Sequence, residues 1–342
     1  MQSFIRPLAA LVVLAGAFGS IGLAAPPAGA SATTTSTQSR ANDPAAAAEA
    51  NLAPKLEKDH GAKYRLNLSS RQVLSILGQT EETGASMQAD ISVVIDEAAP
   101  KPTDNGVKAT LVFDRIAVQF EGGQALTGSF DSATPADQDA ADDPLAMTVR
   151  PIVGQPIRLT LEADGTIGAV GGLDDVAPDD PRAAFLFDQL FSETALASMA
   201  QPIFRVRPAG EDEPLNLDRA LNRADLAEPV GGTWTINAEP VDSLGMPAAE
   251  LTLTLDAAAR GDDGDRLATI SIDGTPRADA PERLQMLDPK VAERSVTGEI
   301  VWNETDGLLQ SLQTTSKTTM TAESQFSISI DIDANTSLRR ID

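Results

Sequence analysis

Apolar and polar positions alternate along most of the chain beyond residue 60, and the alternation predicts strands. Ile157, Leu159 and Leu161 alternate with polar partners, Asp164-Gly165 turns the chain, and Ile167 and Val170 start the return. An Asp-Gly pair between alternating runs is a strong hairpin signal. The device recurs at Ile300–Leu309, where Asp306-Gly307 makes the turn. Tyr64, Leu66 and Leu68 alternate, with Val73, Leu74, Ile76 and Leu77 leading to Gly78. Met87, Ala89, Ile91, Val93 and Ile95 mark a further strand; Asp104-Asn105-Gly106 turns into Val107, Ala109, Leu111 and Phe113. The apolar phase then slips by one, to Ile116, Val118 and Phe120. Such a slip predicts a β-bulge near Asp114-Arg115, and bulges bend sheets.

Helical signals interrupt this pattern mid-chain. Asp143-Pro144 and Asp180-Pro181 read as helix starts, Pro151 shortens the first helix, and Ser192 caps another. Further helical turns are expected at Leu215–Leu226 and Arg283–Leu287. Strands return at Thr233–Ala238, Ala249–Asp256, Leu267–Ile272 and Thr314–Thr321, then through Phe326, Ile328, Ile330 and Ile332. The expectation is a mainly β (α+β) fold over residues 60–342. It is one curved antiparallel sheet or half-barrel of about ten to twelve strands, with two or three mid-chain helices on one face and a helical insertion at about 180–226.

The first sixty residues have another texture. Arg6, an apolar run at Leu8–Leu23 and Ala28-Gly29-Ala30 predict a signal peptide over residues 1–30, and hence an exported chain, periplasmic or extracellular. No stable membrane span is expected after cleavage, because the apolar run is short and broken by glycine. Residues 31–59, rich in Ala, Ser, Thr and Pro, read as a disordered linker with a short helix around Ala45–Leu52.

Composition removes several chemistries. The chain has no Cys, so disulfides, thiol catalysis and a lipid-anchor cysteine are excluded. Without residues 1–30 it carries 25 basic against 50 acidic residues, a net charge of −25. Such a surface repels phosphate backbones, and no nucleic-acid partner is expected. His60 is the single histidine and reads as an exposed linker residue. No phosphate-binding loop motif occurs. Asp331, Asp333 and Asn335 have the spacing of an EF-hand loop, but Thr336 replaces its glycine and the apolar alternation continues a strand through it. No cofactor is expected beyond weak surface calcium at the acidic clusters Asp137–Asp143 and Asp262–Asp265.

The Phe-rich stretch is the candidate site. Phe185, Leu186, Phe187, Leu190 and Phe191 surround much of a helix, which is therefore a core helix or a lid over an apolar cavity. Trp234 and Trp302 lie in strands, as core anchors or ligand contacts. The residues assigned to ligand binding are Phe185, Phe187, Leu190, Phe191 and Trp234, with no catalytic residue.

The layout resembles exported bacterial β-rich proteins known mainly as domains of unknown function. The likeness rests on a strand pair ending near Phe120, Leu159–Gly172 with its turn, the Phe-rich helix, Gly232–Trp234 and the closing Asp-Gly hairpin. In architecture it is similar to periplasmic lipoprotein carriers, whose half-barrel holds acyl chains under a helical lid; that likeness implies an apolar or lipid-like ligand. Three function classes stand open on the sequence. The first is a non-enzymatic exported protein binding such a ligand. The second is a structural or cell-envelope interaction protein without a small ligand, its partner an envelope protein. The third is a carboxylate-pair hydrolase.

Overall fold

The computed structural model describes residues 49–76, 79–97, 106–122, 127–134, 143–206, 227–238, 249–261, 263–276, 290–323 and 327–341. The signal peptide, Leu215–Leu226, Arg283–Leu287 and Phe326 lie outside them. In chain order the strands are β1 (Glu49–Asn51), β2 (Gly61–Ile76), β3 (Gln79–Glu97), β4 (Val107–Glu121), β5 (Gly128–Asp131), β6 (Pro156–Leu161), β7 (Ile167–Gly171), β8 (Ala227–Pro229), β9 (Thr233–Ala238), β10 (Ala249–Arg260), β11 (Arg266–Pro276), β12 (Lys290–Asn303), β13 (Leu308–Glu323) and β14 (Ser327–Arg340). The helices are α1 (Pro144–Val149), α2 (Pro181–Phe191) and α3 (Glu193–Phe204).

Twelve strands form one antiparallel sheet in the order β7-β6-β4-β3-β2-β14-β13-β12-β11-β10-β9, with β5 on the far half of β4. The sheet curves without closing, as the strand pattern predicts. The first and last long strands meet at its centre, where β14 pairs with β2 from Ile328↔Ile76 to Arg340↔Tyr64. The predicted bulge is present. Asp90 pairs with Arg115 and Ile91 with Phe113, leaving Asp114 as the extra residue. The slip keeps Phe113 and Ile116 both buried while bending the strand.

Helix starts follow their caps. The Asp143 carboxylate accepts from the Leu145 amide in α1, and Asp180 accepts from Arg182 and Ala183 in α2. Helix α1 stops just before Pro151, which has no amide hydrogen to donate. Ser192 caps α3 through the Ala195 amide. Helix residues Leu145, Val149, Leu186, Phe187, Phe191, Leu196 and Phe204 join one core with the buried parity of the sheet, including Phe113, Leu66 and Leu312. The helices therefore cover part of the sheet's inner face.

One assignment needs correction. Residues 49–59, placed in the disordered linker by composition, pack on the domain. Ala50, Leu52 and Ala53 are buried, and Glu49–Asn51 pairs with β8 as a strand rather than helix. Three apolar side chains and a run of backbone bonds suffice to hold a segment whose average composition looks disordered. His60 moves with it. Its Nε2 lies 2.9 Å from the Asp306 carbonyl oxygen, half-buried rather than exposed in a linker.

Candidate functional site

Helix α2 settles into a single stripe. Ala183, Leu186, Phe187, Leu190 and Phe191 are buried, at helical spacing of three and four. Phe185 is 49% exposed on the opposite side, so it has no place in a site beneath the helix. The sequence pattern overstated the apolar arc because Phe185 and Leu186 are adjacent, hence about 100° apart on a helix. Phe191 meets protein: its ring lies 5.8 Å from that of Phe113, edge-on, and 5.5 Å from that of Phe187. Trp234 is buried in the same core and its indole N–H donates to the Val206 carbonyl at 3.3 Å. Phe187, Leu190, Phe191 and Trp234 thus form packed wall.

Both Asp-Gly turns are docking points. Gly165, at φ +86°, sits so close to α3 that a Cβ there would lie 2.3 Å from the Phe204 carbonyl oxygen. Gln201 of α3 accepts from the Ile167 amide and donates to the Gly165 carbonyl, both at 2.9 Å. Arg205 reaches Asp164 at 3.1 Å; burial pulls its guanidinium below the usual range, partly offset by Asp164 and Glu162. Gly307, at φ +63°, lies under the N-terminal segment, its carbonyl accepting from Lys55. The buried Glu304 carboxylate accepts from the Asn51 amide at 2.8 Å and from Arg266 at 3.0 Å. Asp164 and Glu304 are the buried carboxylates among the described residues, and each is engaged by a guanidinium. Among the described residues no three His, Asp or Glu side chains come together as a metal site. The strand reading of Asp331–Asn335 holds, since all three of its oxygen-bearing residues lie within β14.

The inner face changes character beyond the helices. Along β2 the inward residues run Leu66, Leu68, Ser70, Gln72, Leu74; along β13 they run Leu312, Thr314, Ser316, Thr318, Met320. Along β14 they run Leu338, Thr336, Ala334, Ile332, Ile330. All are buried. The register aligns these changes into rows across the sheet. Leu68, Thr336, Thr314 and Gly298 form one row; Ala85, Ser70, Ala334, Ser316 and Val296 the next; Thr83, Gln72, Ile332, Thr318 and Arg294 the third. Ile332 of the third row, with Leu74, Met320 and Ile330 past it, forms a second apolar cluster, separate from the main core and containing no helix residue.

This belt was missed in the sequence, although a signal was there. Ser70, Gln72, Thr314, Ser316 and Thr318 occupy the apolar parity of their strands, so alternation alone placed them inward. Losing water there lowers the Arg294 guanidinium to about 10. The oxygens of Gln72 (Oε1), Thr314 (Oγ1) and Thr336 (Oγ1) are buried with no hydrogen-bond partner in the protein. Native interiors seldom leave such atoms unmatched, and each one calls for a partner. Elsewhere, an open groove of about 690 Å³ crosses β2–β5 beside Asn67, Gln88 and Asp131, and Asp131 is already paired with Arg115 at 2.5 Å.

The fold and the inner face define a class: an open, curved antiparallel sheet with helices packed on part of one face. No protein-family model matches the chain, and no curated protein matches its sequence. No helix among the described residues is long and apolar enough to cross a membrane.

Proposed function

We propose that this chain is an exported, non-enzymatic binding protein that takes an apolar, lipid-like ligand on the inner face of its open sheet. The observation that supports this reading is the second apolar cluster, Leu74, Met320, Ile330 and Ile332, with Ile76 and Ile328 packed against it. It lies on the same face as the main core, yet no helix contributes to it. These side chains are already buried, so the cluster is an apolar interior strip outside the helix-covered core, and its chemistry is that of an acyl chain. The Phe-rich helix then serves as the fixed wall of the domain, packed on Phe113. The seat lies farther along the strands. Native mass spectrometry of the protein purified from its own source tests the reading, together with uptake of a fluorescent fatty acid. A lipid-sized adduct and saturable uptake at micromolar concentration are expected. A bare polypeptide mass with no uptake would overturn it.

A further inference from the structure

We infer that the outer face of the sheet binds a neutral glycan strand laid across its β-strands. This site is separate from the inner face and its lipid-like ligand. The groove of about 690 Å³ over β2–β5 marks the place. One wall is the register row Asn67, Gln88, Ala117 and Asp131. The other, two residues along, is Ser69, Ser86, Gln119 and Ser129. Between the walls lie Leu68, Met87, Val118 and Phe130, which belong to the inward parity and are at most 8% exposed. Their backbone therefore makes the floor, and the groove opens on the outer face. At a strand spacing of roughly 4.8 Å it spans about 14 Å. It ends at the β5 edge against Thr134, Asp143 and Arg150, whose guanidinium lies 5.5 Å over the Phe130 ring.

The walls carry hydrogen-bonding groups and almost no charge. The chain has 50 acidic residues, yet the two walls hold a single acid, Asp131, and Arg115 binds its carboxylate. Charge begins one row out on each side. Arg65, Asp90 and Arg115 flank the Asn67 row; Asp333, Arg71 and Glu121 flank the Ser69 row. Within the walls Ser69, Ser86, Gln88 and Ser129 are at least partly exposed and make no side-chain hydrogen bond in the protein. Hydroxyls and amides both donate and accept, as the neighbouring hydroxyls of a sugar require. An anionic polymer would meet one lining cation among the described residues, Arg150, on a chain of net charge −24. A peptide strand would find no edge to pair with in the floor, because β2, β3 and β4 are hydrogen-bonded on both sides there.

The rows run on past the groove, which favours a chain of sugars over a single one. The Ser69 row continues in register through Asn335, Thr315 and Thr297, and the Asn67 row through Ser337 and Gln313. All five are uncharged, and none is buried. Thr315 donates to Asn335 at 3.0 Å, and Asn67 donates to Ser337 at 3.2 Å. Such rungs hold the side chains in place before a ligand arrives, which lowers the entropic cost of binding. Polar groups then recur once per strand, roughly every 4.8 Å, and a periodic track of this kind suits a periodic ligand.

Isothermal titration of the full-length chain tests this. Cellohexaose, chitohexaose and maltohexaose are the neutral probes, hexagalacturonate the anionic one, and a Gly-Ser decapeptide stands for a protein partner. Saturable binding of at least one neutral hexasaccharide is expected, about tenfold tighter than hexagalacturonate and tighter than the matching disaccharide. Asn67→Ala with Gln88→Ala, and separately Ser86→Asp, should weaken that binding about tenfold. Lys317→Ala, on the charged bank beside Asp333, should leave it unchanged. Thermal melts check that each variant folds. Uptake of a fluorescent fatty acid should be the same in all of them, which separates this site from the inner face. No binding of any neutral probe, equal binding of hexagalacturonate, or binding of the decapeptide in their place would overturn the glycan role. Glycan binding that survives both groove variants, or fatty-acid uptake that falls with it, would overturn its place on the outer face.

Discussion

The central strands β2, β14 and β13 present two inner surfaces built on one backbone. Under the helices, Leu66, Leu338 and Leu312 join one core with Phe113 and Phe191, beside a space of about 30 Å³ against Met199 and Pro202. Two rows on, the same strands present Ser70, Ala334 and Ser316, flanked by oxygens with no partner. Strand pairing is continuous through both. The difference therefore lies in the side chains alone. The covered part is built for stability, since large apolar groups gain most when every void is filled. The belt sacrifices stability, because a buried unmatched polar atom costs about 1–3 kcal/mol. A fold that tolerates that cost in three central strands invites a functional reason.

The largest effect should come from the filled side. Phe191→Ala removes a fully buried ring that contacts Phe113 and Phe187, and should cost about 3–5 kcal/mol in a denaturant titration. Phe185→Ala, on the exposed side of the same helix, should change stability by less than about 0.5 kcal/mol. Equal losses would mean that α2 is not packed by one stripe.

The turns at the filled end come next. Gly165→Ala and Gly307→Ala should each cost about 1–3 kcal/mol for the positive φ alone. The added Cβ also meets backbone, at 2.3 Å from the Phe204 oxygen and 2.5 Å from the Lys55 nitrogen. Unchanged denaturant midpoints would show that neither turn is docked. Gly307→Ala should also expose residues 49–57 to proteolysis, because that turn holds the segment through Lys55.

Much of this fold was legible in the residues. The two Asp-Gly turns, the bulge at Asp114 and the helix starts at Asp143 and Asp180 each rest on local stereochemistry, which a sequence carries directly. The packing of residues 49–59 was not legible, since Glu49–Asn51 are held by partners more than 150 residues away. The belt was half legible. Polar residues at inward parity can be read from Leu66–Leu74, but which rows they join depends on the β14–β2 register between distant chain ends.

A smaller effect, of opposite sign, should separate the belt from the core. Thr314→Val keeps the shape of the side chain and removes a hydroxyl with no partner. The unliganded protein should be unchanged or more stable by up to about 1 kcal/mol. A loss above that size would mean that the hydroxyl is bonded in solution, which would place this row with the core.

The outer face gives the smallest effect and the control for both inner surfaces. Arg65 binds Asp90 through two hydrogen bonds, at 2.7 and 3.0 Å, while Arg115 binds Asp131 in the same manner. The hydrogen bonds from Arg65 hold the Asp90 carboxyl below its usual range, against the opposing effect of partial burial. A depressed carboxylate pKa stabilises the fold above the unfolded value of about 3.9 and loses that contribution as pH falls through the folded value. The pair is half-exposed, so water and salt screen it, and Asp90→Asn should cost no more than about 0.5 kcal/mol at pH 7. The difference between wild type and variant should shrink as pH falls below about 4, and should also shrink in 1 M salt. A gap that persists at pH 2 would assign the cost to packing instead. The same titration should leave the Thr314→Val difference unmoved, because a hydroxyl does not titrate there, so the two surfaces separate by pH as well as by size.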